Sequence, residues 1–194
     1  MDAYFDNILN TITSSVKSLD LCEFERLADM AVAAEKAYRK VIATGLGKNV
    51  PICEKFVGTM ASLGLNACFM HSNSAIHGDL GLVRQGDLVL MLTKSGDTEE
   101  SIKLYEHLSE RDAHLWLITF NPAGYLTKKF PNVLSLQLDH EGDLWNIIPN
   151  NSTTVYLIIL QALAVRVAEK MEISLERFSI NHPGGAIGQK ALNG

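Results

Sequence analysis

Cysteine is scarce in this sequence: Cys22, Cys53 and Cys68 are the whole complement, an odd number with no CxxC spacing. That excludes a disulfide framework and a thiolate metal site, and leaves three plain thiols. Positive charge is also in short supply, 17 Lys and Arg against 22 Asp and Glu for a net charge of -5, so a basic nucleic-acid footprint is missing. An anionic small molecule stays open, because it responds to the local field of a cleft rather than to the total charge. Long apolar runs are absent too. The richest, "VYLIILQALAVRVA", is interrupted by Gln161 and Arg166 and falls short of the ~20 residues of a membrane span, so it reads as a core helix. The acidic opening "MDAYFDNILNTITSS" lacks the basic-then-apolar order of a secretory leader. A cytoplasmic protein with neither membrane nor nucleic-acid partner is expected.

What remains is an ordinary globular composition, 47% hydrophobic and 20% charged over 194 residues, enough for one structural domain. Ile8, Ile12, Val16 and Leu19, then Leu27, Met30 and Ala34, recur at helical spacing. Residues 1–38 are therefore expected to form helices that pack on the domain, residues 39–194, or on a neighbouring subunit. Short apolar runs follow: "KVIAT", "ACFMH", "DLVLML", "LWLITF" and "VLSLQL", most separated by helix-like segments. Continuous apolarity means strands covered on both faces, and strands alternating with helices predict an α/β fold with a parallel sheet.

Ligands of such sheets bind beyond the carboxyl ends of the strands, so the exits of the runs are the places to search. "TKSGDTEES" leads into a helix whose unpaired N–H groups, with Gly96 and the hydroxyls of Ser95 and Thr98, suit a phosphate; equally, Asp97 or Thr98 could cap that helix. "TGLGKNV" has Gly45 and Gly47 to free the backbone and Lys48 as a cation, yet lacks the full dinucleotide and Walker spacings. "HSNSAIHGDLG" holds His71 and His77, candidate acids or bases whose spacing does not make a helical metal pair. His182 sits in "NHPGGAIG", on a turn forced by Pro183, Gly184 and Gly185, where it could close over a site in its own or a neighbouring subunit.

"TGLGKN", "HGDLG", "SGDTEE" and "NHPGGAIG", in this order, resemble the sugar isomerase (SIS) domain of arabinose-5-phosphate isomerases. The likeness runs from about Val41 to Leu192. It implies a three-layer α-β-α sandwich, flavodoxin- or Rossmann-like, around a five-stranded parallel sheet, with the N-terminal helices added. It also implies a homo-oligomer, a tetramer built as a dimer of dimers. The implied reaction interconverts D-ribulose 5-phosphate and D-arabinose 5-phosphate, supplying 3-deoxy-D-manno-octulosonate for lipopolysaccharide or capsule. Carried over residue by residue, the family's catalytic positions fall on Lys48, His77, Glu100, Glu141 and His182. The family's substrate contacts include His71, also the position associated with zinc in some members, and Gly45, Gly47, Thr93, Ser95, Gly96, Thr98 and Ser152 are expected to bind substrate with it. No cofactor is required, zinc being expected only as an inhibitor. The tandem CBS domains of many relatives are not expected here.

The chain departs from the family in "TKSGDT", where Thr93, Lys94 and Asp97 replace a serine, an uncharged residue and a glutamate. It departs again in "GDLWNII", between Glu141 and Pro149. The expected chemistry is proton transfer between C1 and C2 through an enediol. His77 or Glu100 would move the carbon-bound proton, Lys48 would stabilise the enediolate, His182 would help open the ring, and Glu141 would orient a histidine. Two other readings stay open: an isomerase of another sugar phosphate, and a non-catalytic sensor of sugar phosphates or nucleotide sugars.

Overall fold

The computed structural model describes residues 2–184 and residue 188. Two helices come first, α1 (Asp2–Lys17) and α2 (Leu21–Lys36). Asp20 caps the start of the second, its carboxylate accepting the N–H groups of Cys22 and Glu23 at 2.9 and 3.2 Å. The strands are β1 (Val41–Gly45), β2 (Ala67–His71), β3 (Leu88–Leu92), β4 (His114–Thr119) and β5 (Asn132–Ser135). Between and after them lie α3 (Asn49–Ser62), the one-turn α4 (Ser72–Ala75), α5 (Glu99–Ser109), α6 (Asn151–Lys170) and α7 (Leu175–Ile180). The β4–β5 crossover has only a 3-10 turn, Leu126–Lys128.

All four pairings are parallel and the strand order is β2-β1-β3-β4-β5. β1 and β3 are buried at every position, as their unbroken apolar runs predict. Alternate residues feed two cores. Val41, Ala43, Leu88, Leu90, Leu92, Trp116 and Ile118 face α2, α3 and α6. Ile42, Val89, Met91, Leu115 and Leu117 face the other way, onto Ala75 of α4, Leu104 and Leu108 of α5, and Leu126. Each such side chain contributes roughly 1.5–3 kcal/mol on burial. α2 is a full wall of the first core, with Phe24, Leu27, Ala28 and Ala31 buried.

α6 has the length and hydropathy of a membrane span, but Val155, Tyr156, Ile159, Leu160, Leu163 and Val167 pack into the first core. Its position there agrees with the core helix expected of this segment. The register sets Gly45 beside His71 on one side and Leu92 on the other, with Leu92 opposite Ile118. The exits of the four strands are thus level. β1 and β3 lead off to opposite sides of the sheet, which opens a crevice between their loops.

Candidate active site

Two clefts occupy that edge and share the first turn of α5. Thr98 and Ser101, three residues apart, face the first; Glu100 and Lys103, also three apart, face the second.

The first cleft, about 420 Å³, is walled by Leu46 and Asn49 after β1, by Leu92 to Ser95, Thr98 and Ser101 around the exit of β3, by Phe120 and Asn121 after β4, and by Leu138. The loop Thr93–Thr98 is built to leave a helix end open. Gly96 turns it with φ +70°, and the Gly96 N–H donates to Thr93 Oγ1 at 3.3 Å. Asp97 spends its carboxylate on the neighbouring loop, accepting Tyr125 N–H at 2.7 Å and Asn121 Nδ2 at 3.3 Å. Thr98 occupies the N-cap of α5 but makes no capping bond. Neither candidate caps the helix, so the amides of its first turn are left for an anion beside the hydroxyls of Thr93, Ser95, Thr98 and Ser101.

Lys94 also lines this cleft, and its Nζ lies 2.5 Å from Oε1 of Glu141. Glu141 is entirely buried, and its Oε2 accepts the N–H groups of Asn150 and Ser152 at 3.0 and 2.9 Å, at the start of α6. Burial would raise the pKa of this carboxyl. The Lys94 ammonium and the amides of Ser152 and Asn150 outweigh it, holding the group below the ordinary carboxylate range.

The second cleft, about 330 Å³, gathers His77, Glu100, Lys103, Ser72, Asn73 and Ile76. His77 and Glu100 are both exposed here. Glu99, one residue earlier, does not line this cleft and pairs with Lys103 at 2.7 Å on the surface.

The structure therefore brings together Thr93, Ser95 and Thr98 in one cleft and His77 with Glu100 in the next. Gly45 closes the end of β1 against Asn49, Gly47 turns with φ +55°, and Lys48 is exposed at the start of α3. His71 ends β2, half-buried, with Nδ1 accepting the Asn73 N–H at 3.2 Å. No group of three or more His, Cys, Asp or Glu side chains among the described residues is placed to hold a metal ion.

Two residues meet partners other than those expected, and a third, His182, stands away from both clefts of its own chain. Glu141 bonds to Lys94 and to α6, not to a histidine. Ser152 is buried behind it, outside both cleft walls, because its amide is committed to Glu141. His182 stands at the far end of α3, stacked on Phe178, with Nε2 2.9 Å from Ser62 Oγ and Nδ1 2.9 Å from the Phe178 carbonyl. The 14 residues of α3 put it ~20 Å of helix from Lys48.

Asn49, Ser101 and Asn121 line the first cleft without having been expected there. Asn121 is in "FNPAG", the one strand exit with a single amide and no charge to mark it.

A model of the SIS domain matches residues 36–166. The chain belongs to the SIS domain family. It is 29% identical over 198 residues to the arabinose 5-phosphate isomerase KdsD of Francisella tularensis, covering 99% of this chain and 61% of that protein. To the KdsD of Pseudomonas aeruginosa it is 35% identical over 153 residues, 79% of this chain and 47% of the other. The chain thus spans less than two thirds of the length of these curated relatives. An Escherichia coli CFT073 protein solved in complex with arabinose 5-phosphate superposes with a TM-score of 0.86 at 28% identity, covering 93% of this chain and 94% of that one. The five-stranded parallel sheet flanked by helices is the SIS fold, as the motifs imply.

Proposed function

We propose that this SIS chain is an aldose-ketose isomerase interconverting D-ribulose 5-phosphate and D-arabinose 5-phosphate. The observation that carries the reading is the whole-length likeness to the Escherichia coli protein that binds arabinose 5-phosphate, joined to an open anion cradle beside a cleft holding His77 and Glu100. The phosphate would rest on Thr93, Ser95, Gly96, Thr98 and the free amides of α5. A base, His77 or Glu100, takes a proton from C1 of the ketose as O2 gains one, giving the enediol. A proton then returns to C2 as O1 gives one up, and the aldose results. Atoms and electrons balance without a redox partner, so no cofactor is assigned. Lys48, at the mouth of α3, would offset charge on the enediolate oxygen.

The same reading assigns a cytoplasmic protein that supplies 3-deoxy-D-manno-octulosonate synthesis for lipopolysaccharide or capsule and works as a tetramer. Assembly is supported by large apolar side chains left exposed: Tyr4, Phe5 and Leu9 on α1, and Leu144, Trp145, Ile147 and Ile148 ahead of α6. It would also give His182 a part in the reaction, at the site of another copy.

The test is incubation with D-ribulose 5-phosphate and EDTA in deuterated water, followed by NMR. Arabinose 5-phosphate carrying deuterium at C2 is expected. Tight binding without product would instead favour a sugar-phosphate sensor.

A further inference from the structure

We infer that Lys94 is the cation that binds the substrate phosphate, and that Glu141 is a positioning residue that holds it there. This rests on the sugar-phosphate reading above and assigns a contact within it.

Every other side chain lining the first cleft is a hydroxyl, an amide or apolar; Lys94 brings its only formal charge among the described residues. Its side chain is 44% exposed, while that of Glu141 is fully buried. An ammonium has three donors, and the described residues engage one of them, through Glu141 Oε1. The remaining donors are free for a ligand.

Glu141 is held from the other side. Its second oxygen takes two amides at the amino terminus of the 20-residue α6, where the helix dipole favours negative charge. Its own N–H donates to Asn146 Oδ1 at 2.7 Å, so the backbone is fixed as well. To act on substrate, this carboxylate would have to abandon both the helix terminus and the ammonium. The arrangement reads instead as a relay of alternating charge, from the α6 amides through Glu141 and Lys94 to an anion in the cleft. A phosphate dianion is the ligand that uses both this charge and the hydroxyls of Thr93, Ser95, Thr98 and Ser101.

The competing account is an ion pair that only stabilises the fold. To separate the two, inorganic phosphate is titrated by NMR into wild type, Lys94→Met, Lys94→Gln and Glu141→Gln, alongside turnover of D-ribulose 5-phosphate. The inference expects phosphate Kd and substrate KM to rise about tenfold or more in Lys94→Met, with kcat within about threefold of wild type. Glu141→Gln should show a smaller rise of the same kind. Lys94→Gln, which keeps a donor beside Glu141 without its charge, decides the matter where Lys94→Met does not fold.

Phosphate affinity and KM within about twofold of wild type in the Lys94 variants, with only a lower melting temperature, would overturn the inference. So would a loss of kcat of about a thousandfold at unchanged KM in Glu141→Gln, the mark of a catalytic carboxylate. The phosphate titration needs no turnover. An inactive wild type whose phosphate binding depends on Lys94 would remove the isomerase reading and leave the contact standing.

Discussion

Lys94, on the wall of the first cleft, and Glu141, 47 residues apart in sequence, meet at 2.5 Å, one half-exposed and the other fully buried. Their contact links the exit of the central strand β3 to the start of α6, so one ion pair fastens the loop after β3 to a helix of the first core.

Stability should register the ionisation of Glu141. Its folded pKa lies below the unfolded value of about 4.3, so the contribution is complete above that value and is lost as pH falls through the folded pKa. Glu141→Gln should cost about 2 kcal/mol at neutral pH, an amount tempered by the solvation of Lys94. Between neutral and acid pH its denaturation midpoint should decline less steeply than that of wild type. Parallel declines would show that this carboxyl does not report on folding.

The adjacent glutamates of α5 should separate cleanly. Glu99 makes a solvent-exposed pair with Lys103, whereas Glu100 lines the second cleft together with His77. Glu99→Gln should leave turnover within about twofold of wild type, and Glu100→Gln should reduce kcat by about a hundredfold or more. Equal effects would place the proton transfer elsewhere.

Gly45 leaves room that no side chain can take. A Cβ there would stand 2.9 Å from Asn49 Cβ and 3.5 Å from the Leu92 carbonyl, which Asn49 Nδ2 reaches at 3.3 Å. Gly45→Ala should therefore push the start of α3 outward, costing about 1–3 kcal/mol and weakening phosphate binding. Calorimetry and the same NMR titration check it; an unchanged melting temperature and affinity would mean that α3 yields freely.

The cysteines should differ in reactivity. Burial pushes the Cys53 thiol up to about 12, and Cys22 is exposed. A thiol reagent at neutral pH should modify Cys22 in the native chain and reach Cys53 only after unfolding. Early labelling of Cys53, read by mass spectrometry, would show that α3 opens locally.

The architecture was legible because a doubly covered strand needs continuous apolarity, and β1 and β3 spell it out in "VIATG" and "LVLML". β5 is shorter than its run: pairing stops at Ser135, although Leu136 continues into the core. That Thr93, Ser95 and Thr98 line one cleft was legible as well, since they follow the carboxyl end of a strand and precede a helix. Whether that helix was capped was not, because the answer lies in Asp97 turning to Tyr125, a contact 28 residues away. The partner of Lys94 and the place of His182 were hidden for the same reason. Local spacing states what a residue can do, and only the packing of distant segments states what it meets.

Asp143 ties down the segment between Glu141 and α6, its carboxylate accepting the N–H groups of Trp145, Ile147 and Ile148 at 2.8, 3.0 and 3.0 Å. Leu144 and Trp145 are consequently held in solvent at 93% and 67% exposure rather than folded back. Such a segment has already lost its conformational entropy when the chain folds. Whatever docks on this face meets a preformed surface, and the strength of that encounter is set by the water it displaces rather than by the cost of ordering a loop.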